Sequence, residues 1–267
     1  MGLTYKNDAV EQNKIILNLH EKDLYSGSLI LVNKDNEFRK NEENLVPIDS
    51  EYLSTYKDSP IYINKIMKDS LLNLIDDIDG RKQILAVSGF RSEEEQKKIY
   101  NYSIDENGIE FTKKYVAKPK QSEHQTGLAI DLGEVTDSVD FICPSFPDHG
   151  ICKKFKDLAS SYGFIIRYAK EKEHITYISE EKWHFRYVGN PHAKIISEFD
   201  YCLEEYLDII REFKFNEKHL KIVNDNMDIE IFFVEKAGDI TQIVIDSCQK
   251  YDVSGNNIDG FIVTVFK

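Results

Sequence analysis

Residues 122–132, SEHQTGLAIDL, constrain the fold more than any other stretch. Gly127 lets the chain turn, and Leu128 to Leu132 then read as a strand. Successive side chains of a strand point to opposite faces. Leu128, Ile130 and Leu132 therefore share an apolar face, and Ala129 and Asp131 share the other. The second face sets a carboxylate beside a small residue, with open space next to it. His124 stands just before the strand, across Gly127. A second segment repeats the pattern. In Trp183 to Val188, alternation puts Trp183, Phe185 and Tyr187 on one face and His184 and Arg186 on the other.

The rest of the chain supplies elements to cover such a sheet. SLILVN (28–33) and ILAVS (84–88) read as strands. Ser59-Pro60 reads as a helix start, and Ile63, Ile66, Met67, Leu71, Leu74, Ile75 and Ile78 recur at helical spacing until Asp79-Gly80. Gly89-Phe90-Arg91 turns the chain, and Ser92 with Glu95 forms a capping box that opens the next helix. Residues 102–121 are polar and read as a loop over one face. A helix over Ile151 to Tyr162 is closed by Gly163, a strand follows over 164–168, and helical structure resumes from Pro191 through Leu207. After about residue 213 come short strand-like runs, IEIFFV, ITQIVI and FIVTVF. Strands and helices mix without a βαβ rhythm, which predicts an α+β fold with a central, mainly antiparallel sheet flanked by helices. The expected division is a main domain over 1–212, its first 25 or so residues an extension, and a small C-terminal α/β appendage over 213–267.

Composition narrows the classes. Lys plus Arg is 34 and Asp plus Glu is 47, a net charge of −13, which argues against nucleic acid as a partner. No apolar run approaches the roughly 18 residues of a membrane span. Residues 1–20 lack the pattern of a secretory signal, and Lys6 stands where a myristoylation signal after Gly2 needs Ser or Thr. A cytoplasmic protein is expected. Cys143, Cys152, Cys202 and Cys248 form no CxxC pair and read as scattered buried thiols. His20, His149, His174, His192 and His219 lack partners at useful spacing and read as surface residues. Arg167 and Arg186 read as structural ion-pair members.

Two histidines and a carboxylate make a ligand set for catalytic zinc, leaving a fourth position for water. Zinc lowers the pKa of that water toward about 7. Such a site also needs a carboxylate to move protons. Glu181, three residues before His184, is the candidate. On a regular strand it would face away from His184, so the role requires a bend or bulge there. Spacing alone decides nothing, because each histidine taken singly is more often an ordinary surface or core residue.

SGFRS (88–92) with Gln96, SEHQTGLAIDL, YGFIIRY (162–168) and EKWHFRYVG (181–189) occur in that order. Together they resemble the zinc D,D-peptidases of the VanY and VanXY kind, with their SxHxxGxAxD and ExxH signatures, over roughly residues 25–210. The resemblance implies one zinc per chain on His124, Asp131 and His184, with Glu181 as catalytic base. It implies that Arg91 holds substrate or steadies its oxyanion, and that Gln96 and Ser122 contact substrate. The implied substrate is D-Ala-D-Ala or D-Ala-D-Ser, as free dipeptide or as the end of a cell-wall precursor pentapeptide, an activity tied to glycopeptide resistance. Lys182 stands where the family usually has proline, and Lys120-Gln121 where it usually has Pro-Gly. Two alternatives stay open: an L,D- or D,D-carboxypeptidase trimming mature peptidoglycan, and a non-catalytic zinc module that senses precursor ends. Oligomeric state is not legible in the sequence.

Overall fold

The computed structural model describes residues 14–40, 44–49, 51–224, 226–246 and 250–267. The Met1-Gly2 start and Cys248 lie outside them. Along the chain run β1 (Lys14–His20), β2 (Leu45–Pro47), β3 (Ser54–Thr55), β4 (Tyr62–Asn64), α1 (Lys65–Asp77), β5 (Ile84–Ser88), α2 (Glu93–Asn107), α3 (Ile109–Tyr115), β6 (Ala129–Glu134), α4 (Gly150–Ala159), β7 (Phe164–Tyr168), α5 (Glu173–Thr176), β8 (Glu181–Tyr187), α6 (His192–Glu198) and α7 (Leu203–Ile210). Five strands close the chain: β9 (Leu220–Asn224), β10 (Met227–Glu235), β11 (Ile240–Asp246), β12 (Lys250–Gly255) and β13 (Gly260–Phe266).

The chain divides into two compact units, residues 28–208 and residues 1–27 with 209–267. The larger unit is α+β. Its sheet has the order β3-β5-β6-β8-β7, antiparallel except for the β3–β5 pair. One face of that sheet carries the core. Ile84 and Ala86 of β5, Ile130 and Leu132 of β6 and Phe185 of β8 pack with Met67, Leu71, Leu74 and Ile75 of α1 and Ile151 and Phe155 of α4. Phe146, Phe155 and Phe185 meet edge to face, at centroid distances of 4.7–5.7 Å. Such tilted aromatic pairs add about 1 kcal/mol each beyond the area they bury. Tyr162, in the turn before β7, also hydrogen-bonds Asp77 at the end of α1.

Several elements differ from the sequence reading, each for a physical reason. The helix over α1 starts at Lys65, capped by the Asn64 side chain, which accepts from the Ile66 N–H. Ile61 and Ile63 belong to the extended segment before it, and Ile66 is exposed. Residues 102–107 and 109–115 are helical, because α2 runs on to Asn107 and α3 follows after Gly108. Residues 28–33 form no strand, although Leu29, Ile30, Leu31 and Val32 are buried. The carbonyls of Ser28 and Ile30 accept hydrogen bonds from the Arg186 guanidinium, so a side chain satisfies groups that a neighbouring strand would otherwise pair.

In the second unit β1 pairs antiparallel with β11, and β12, β13, β10 and β9 form a four-stranded antiparallel sheet. Leu17 and Leu19 of β1 pack with Phe232, Val234, Ile243, Ile245, Phe261, Val263 and Val265. The segment read as an extension of the main domain is thus a strand paired with C-terminal sequence. Among the described residues no helix is long and apolar enough to cross a membrane.

Candidate active site

The opposite face of the larger sheet holds the polar groups. Asp131 and His184 are direct cross-strand partners of β6 and β8, and Ala129 and Arg186 are the next same-face pair. His124 enters from the short 3-10 turn Glu123–Thr126, which ends at Gly127. Gly127 sits at φ +67, and a Cβ there would lie 2.8 Å from Leu45 and 3.0 Å from the Asn64 nitrogen, so only glycine fits.

His124 Nε2 lies 3.1 Å from Asp131 Oδ2, and His184 Nδ1 lies 2.9 Å from Asp131 Oδ1. One ligand atom from each of the three residues falls within 4.8 Å of the others, and all three residues are buried. The chemistry of the set suits a cation. His124 Nδ1–H donates to the Gly89 carbonyl at 2.6 Å, which leaves Nε2 as the lone-pair nitrogen facing Asp131. His184 Nε2 faces Glu123 Oε2 at 3.5 Å, which leaves Nδ1 turned toward the same centre.

Glu181 lies with its Oε2 3.7 Å from His184 Nδ1. The bend that this requires is present. Ile166 pairs with Phe185 and Tyr168 with Glu181, so two steps along β7 match four along β8. The bulge brings Glu181 and His184 to one side. Arg91, at the junction of β5 and α2, donates from Nη2 to Asp131 Oδ2 at 2.6 Å and from Nε to Ser88 Oγ at 2.7 Å. Its charge is therefore held against Asp131 at the cavity wall. Arg91, Glu123, His124, Asp131, Glu181 and His184 line one cavity with Ser122, Gln96, Tyr168, Trp183 and Phe141. Every residue singled out in the sequence for the site is in it. Gln96 donates to the Ala117 carbonyl at 2.7 Å, and its Oε1 is buried without a partner among the described residues. Lys182 and Lys120 stand at the periphery, Lys182 2.5 Å from Asp148 and Lys120 with its N–H bonded to Gln125 Oε1.

Burial governs the protonation of these groups. It pushes the Glu181 carboxyl up to about 8, helped by Asp131 and opposed by His184 and Arg91. Burial, then Arg91, pushes His124 down to about 4, so it is neutral at pH 7. Burial would lower His184 too, but its contacts with Asp131 and Glu123 outweigh that and raise it to about 9. For Asp131, burial is outweighed by His124, His184 and Arg91, and its carboxyl is held well below the usual range.

Glu123, the middle residue of Ser-Glu-His, is a participant that the sequence reading missed. It is buried between Arg167 Nε and Arg186 Nη1, each 2.8 Å from Oε1. Arg167 makes a second, two-pronged pair with Glu204 of α7. The two arginines outweigh the cost of burial and keep Glu123 ionised. A carboxylate placed beside a histidine in an otherwise uncharged buried stretch was the available signal. Arg167 and Arg186 are ion-pair members, as read. His192 is not at the surface: it is buried, with Nδ1 2.6 Å from the Tyr206 hydroxyl, and burial pushes it down to about 3. Cys152 and Cys202 are buried and Cys143 is partly exposed, and all three are free thiols.

A half-enclosed cavity with three cation-competent residues, a buried carboxyl and a guanidinium is the constellation that metal-assisted hydrolysis requires. The VanY family, D-alanyl-D-alanine carboxypeptidase, matches residues 60–190. The bifunctional D-Ala-D-Ala dipeptidase and D-Ala-D-Ala carboxypeptidase VanXYC of Enterococcus gallinarum is 40% identical over 188 residues, 69% of this chain and 96% of that protein. The crystal structure of the vancomycin-resistance D,D-dipeptidase VanXYg, in complex with a D-Ala-D-Ala phosphinate analogue, is 43% identical with a TM-score of 0.90, covering 95% of this chain and 99% of its own. A VanY D,D-pentapeptidase from a VanB-type resistance cassette, solved with Zn(II), is 29% identical with a TM-score of 0.53 over 67% of this chain and 98% of its own. The chain belongs to the VanY family of D,D-peptidases.

Proposed function

We propose that this protein is a zinc-dependent peptidase that hydrolyses the terminal amide of D-Ala-D-Ala, both as the free dipeptide and at the end of a cell-wall precursor peptide. The observation that carries the reading is the bulge in β8, which sets Glu181 beside a three-residue cation site that faces a cavity. His124 through Nε2, His184 through Nδ1 and the Asp131 carboxylate would hold the metal. When bound there, zinc supplies Lewis acidity that polarises a carbonyl and acidifies water.

The chain's own groups supply the rest. Glu181 takes the proton of the attacking water and hands it to the amine of the leaving D-amino acid. Burial raises its pKa, which makes the ionised carboxylate a stronger base and lets it hold the proton until it is returned. Arg91 lies against the cavity and offsets the negative charge that develops on the carbonyl oxygen. Ser122 and the unpartnered Gln96 Oε1 offer hydrogen bonds to the substrate backbone. Glu123 fixes the ring of His184 from behind. A sensing module would have no use for Glu181, and its placement favours catalysis over that alternative.

A product assay tests the reading. Zinc-loaded protein offered D-Ala-D-Ala, D-Ala-D-Ser and a pentapeptide ending in D-Ala-D-Ala should release the terminal amino acid. Glu181→Gln should lower kcat by about a thousandfold or more while keeping its zinc. Near wild-type turnover by that variant rejects Glu181 as base, and stoichiometric zinc in His124→Ala or His184→Ala rejects the ligand set.

A further inference from the structure

A second cavity adjoins the active-site cavity and shares Val116, Ala117, Tyr168 and Ile178 with it as a common wall. Its charge runs against that of the molecule. The chain has 47 acidic and 34 basic residues, yet Lys34, Lys113, Lys118 and Arg167 line this groove, and among the described residues no Asp or Glu does. The charge of Arg167 is taken up by Glu123 and Glu204, which leaves the three lysines to set the potential. Lys34 is positioned by the Tyr177 ring, with Nζ 3.4 Å from the centroid. Lys113 pairs with Glu110, whose side chain is 81% exposed, and Lys34 pairs loosely with Asp35 at 3.8 Å, so water screens both partners. Among the described residues Lys118 makes no ion pair within 4.0 Å.

We infer that this groove is a subsite for a carboxylate carried by the part of a longer peptide substrate that precedes the D-Ala-D-Ala amide. The inference rests on the D,D-peptidase reading above. An enzyme that removes one terminal residue needs room for only that residue on the leaving side. A second groove set apart from the reacting groups only by that shared wall therefore offers its room to the acyl side. Free D-Ala-D-Ala presents an ammonium there, which three lysines repel. A longer peptide presents neutral amides and any acidic side chain it carries, which they attract. The groove thus biases the enzyme toward acidic precursor peptides over the free dipeptide.

The test uses the full, zinc-loaded chain with free D-Ala-D-Ala and pentapeptides ending in D-Ala-D-Ala. The pentapeptides come in pairs that differ only as Glu or its uncharged isostere Gln, at one of the three positions before the dipeptide. At about 0.05 M salt the Glu member of one pair should show a KM about tenfold lower, and at about 0.5 M salt the difference should collapse. The exposed pair Lys113→Glu with Lys118→Glu should erase that preference and leave kcat/KM for the free dipeptide unchanged or improved. No difference between Glu and Gln at any position, or a difference that survives the double variant, overturns the subsite. If the wild-type protein turns over neither the dipeptide nor any pentapeptide, the D,D-peptidase reading has failed. Calorimetric binding of the same pairs then decides the groove alone: a Glu preference lost in the double variant sustains it, and equal affinities overturn it.

Discussion

On one face of the five-stranded sheet, Ala86, Ile130, Leu132 and Phe185 meet the apolar stripes of α1 and α4. One residue along the same strands, Asp131, His184 and Arg186 point the other way and meet His124, Glu123 and Arg167. Both faces are buried, but different physics stabilises them. The apolar face gains in proportion to area removed from water and tolerates swaps that conserve volume. The polar face gains nothing from area. It is stable only while each charge has its partner, because an uncompensated buried ion costs several kcal/mol. The second face is therefore the costlier to build and the one that can hold a cation and move a proton.

Single substitutions can break this contrast. Glu123→Ala leaves the buried Arg186 without its carboxylate and should cost about 3–5 kcal/mol of stability. It should also weaken metal binding by about 10–100-fold, because His184 loses the group behind it. Phe185→Ala, on the other face, should cost a similar 3–5 kcal/mol by opening a cavity. The metal affinity of its folded fraction should stay near wild type. Chemical denaturation and metal titration of both variants separate the two effects, and equal losses of metal affinity would erase the distinction between the faces.

A smaller effect tests the protonation of the polar face. His184 is raised to about 9 and His124 is lowered to about 4, so at pH 7 only the first carries a proton that a metal must displace. Zinc uptake by the metal-free protein near pH 7 should release that proton. The release from His184 should fade as pH rises through 9, where the proton is already gone. Calorimetry in buffers of different ionisation enthalpy counts the protons, and a release that does not fade with rising pH contradicts the assignment.

The smallest expected effect lies away from both faces. His192 is buried and its folded value of about 3 is below the ordinary 6.5. The unfolded chain therefore takes up a proton first as pH falls. Stability should decline from about pH 6.5 downward until the folded state also protonates near 3. His192→Phe should flatten that part of the curve by at most a few kcal/mol. If urea midpoints at pH 7 and pH 5 shift equally in the two proteins, His192 does not titrate in this way.

Alternation in two short segments assigned Ile130, Leu132 and Phe185 to the apolar face and Asp131, His184 and Arg186 to the other, since a strand has only two sides. Leu128, one residue before β6, packs instead with Ile30, Val32 and Phe38, and Trp183 borders the cavity. The capping box at Ser92 was equally legible, because Ser92 and Glu95 satisfy each other locally. With the family resemblance, these also brought out every site residue named from the sequence. What the sequence did not disclose depended on partners far along the chain. The strand expected at 28–33 is replaced by a buried irregular segment whose carbonyls bond Arg186, some 156 residues away. His192 is buried by Tyr206 and its surroundings, not by its own neighbours in sequence. Glu123 is necessary only because two arginines and a histidine from β7 and β8 converge on it. The bulge that turns Glu181 toward His184 is a mismatch between two paired strands, and neither strand encodes it alone. Local sequence determined which residues could do chemistry and which side of a strand they occupy. The tertiary structure decided which of them meet, because burial and long-range pairing set both their distances and their charges.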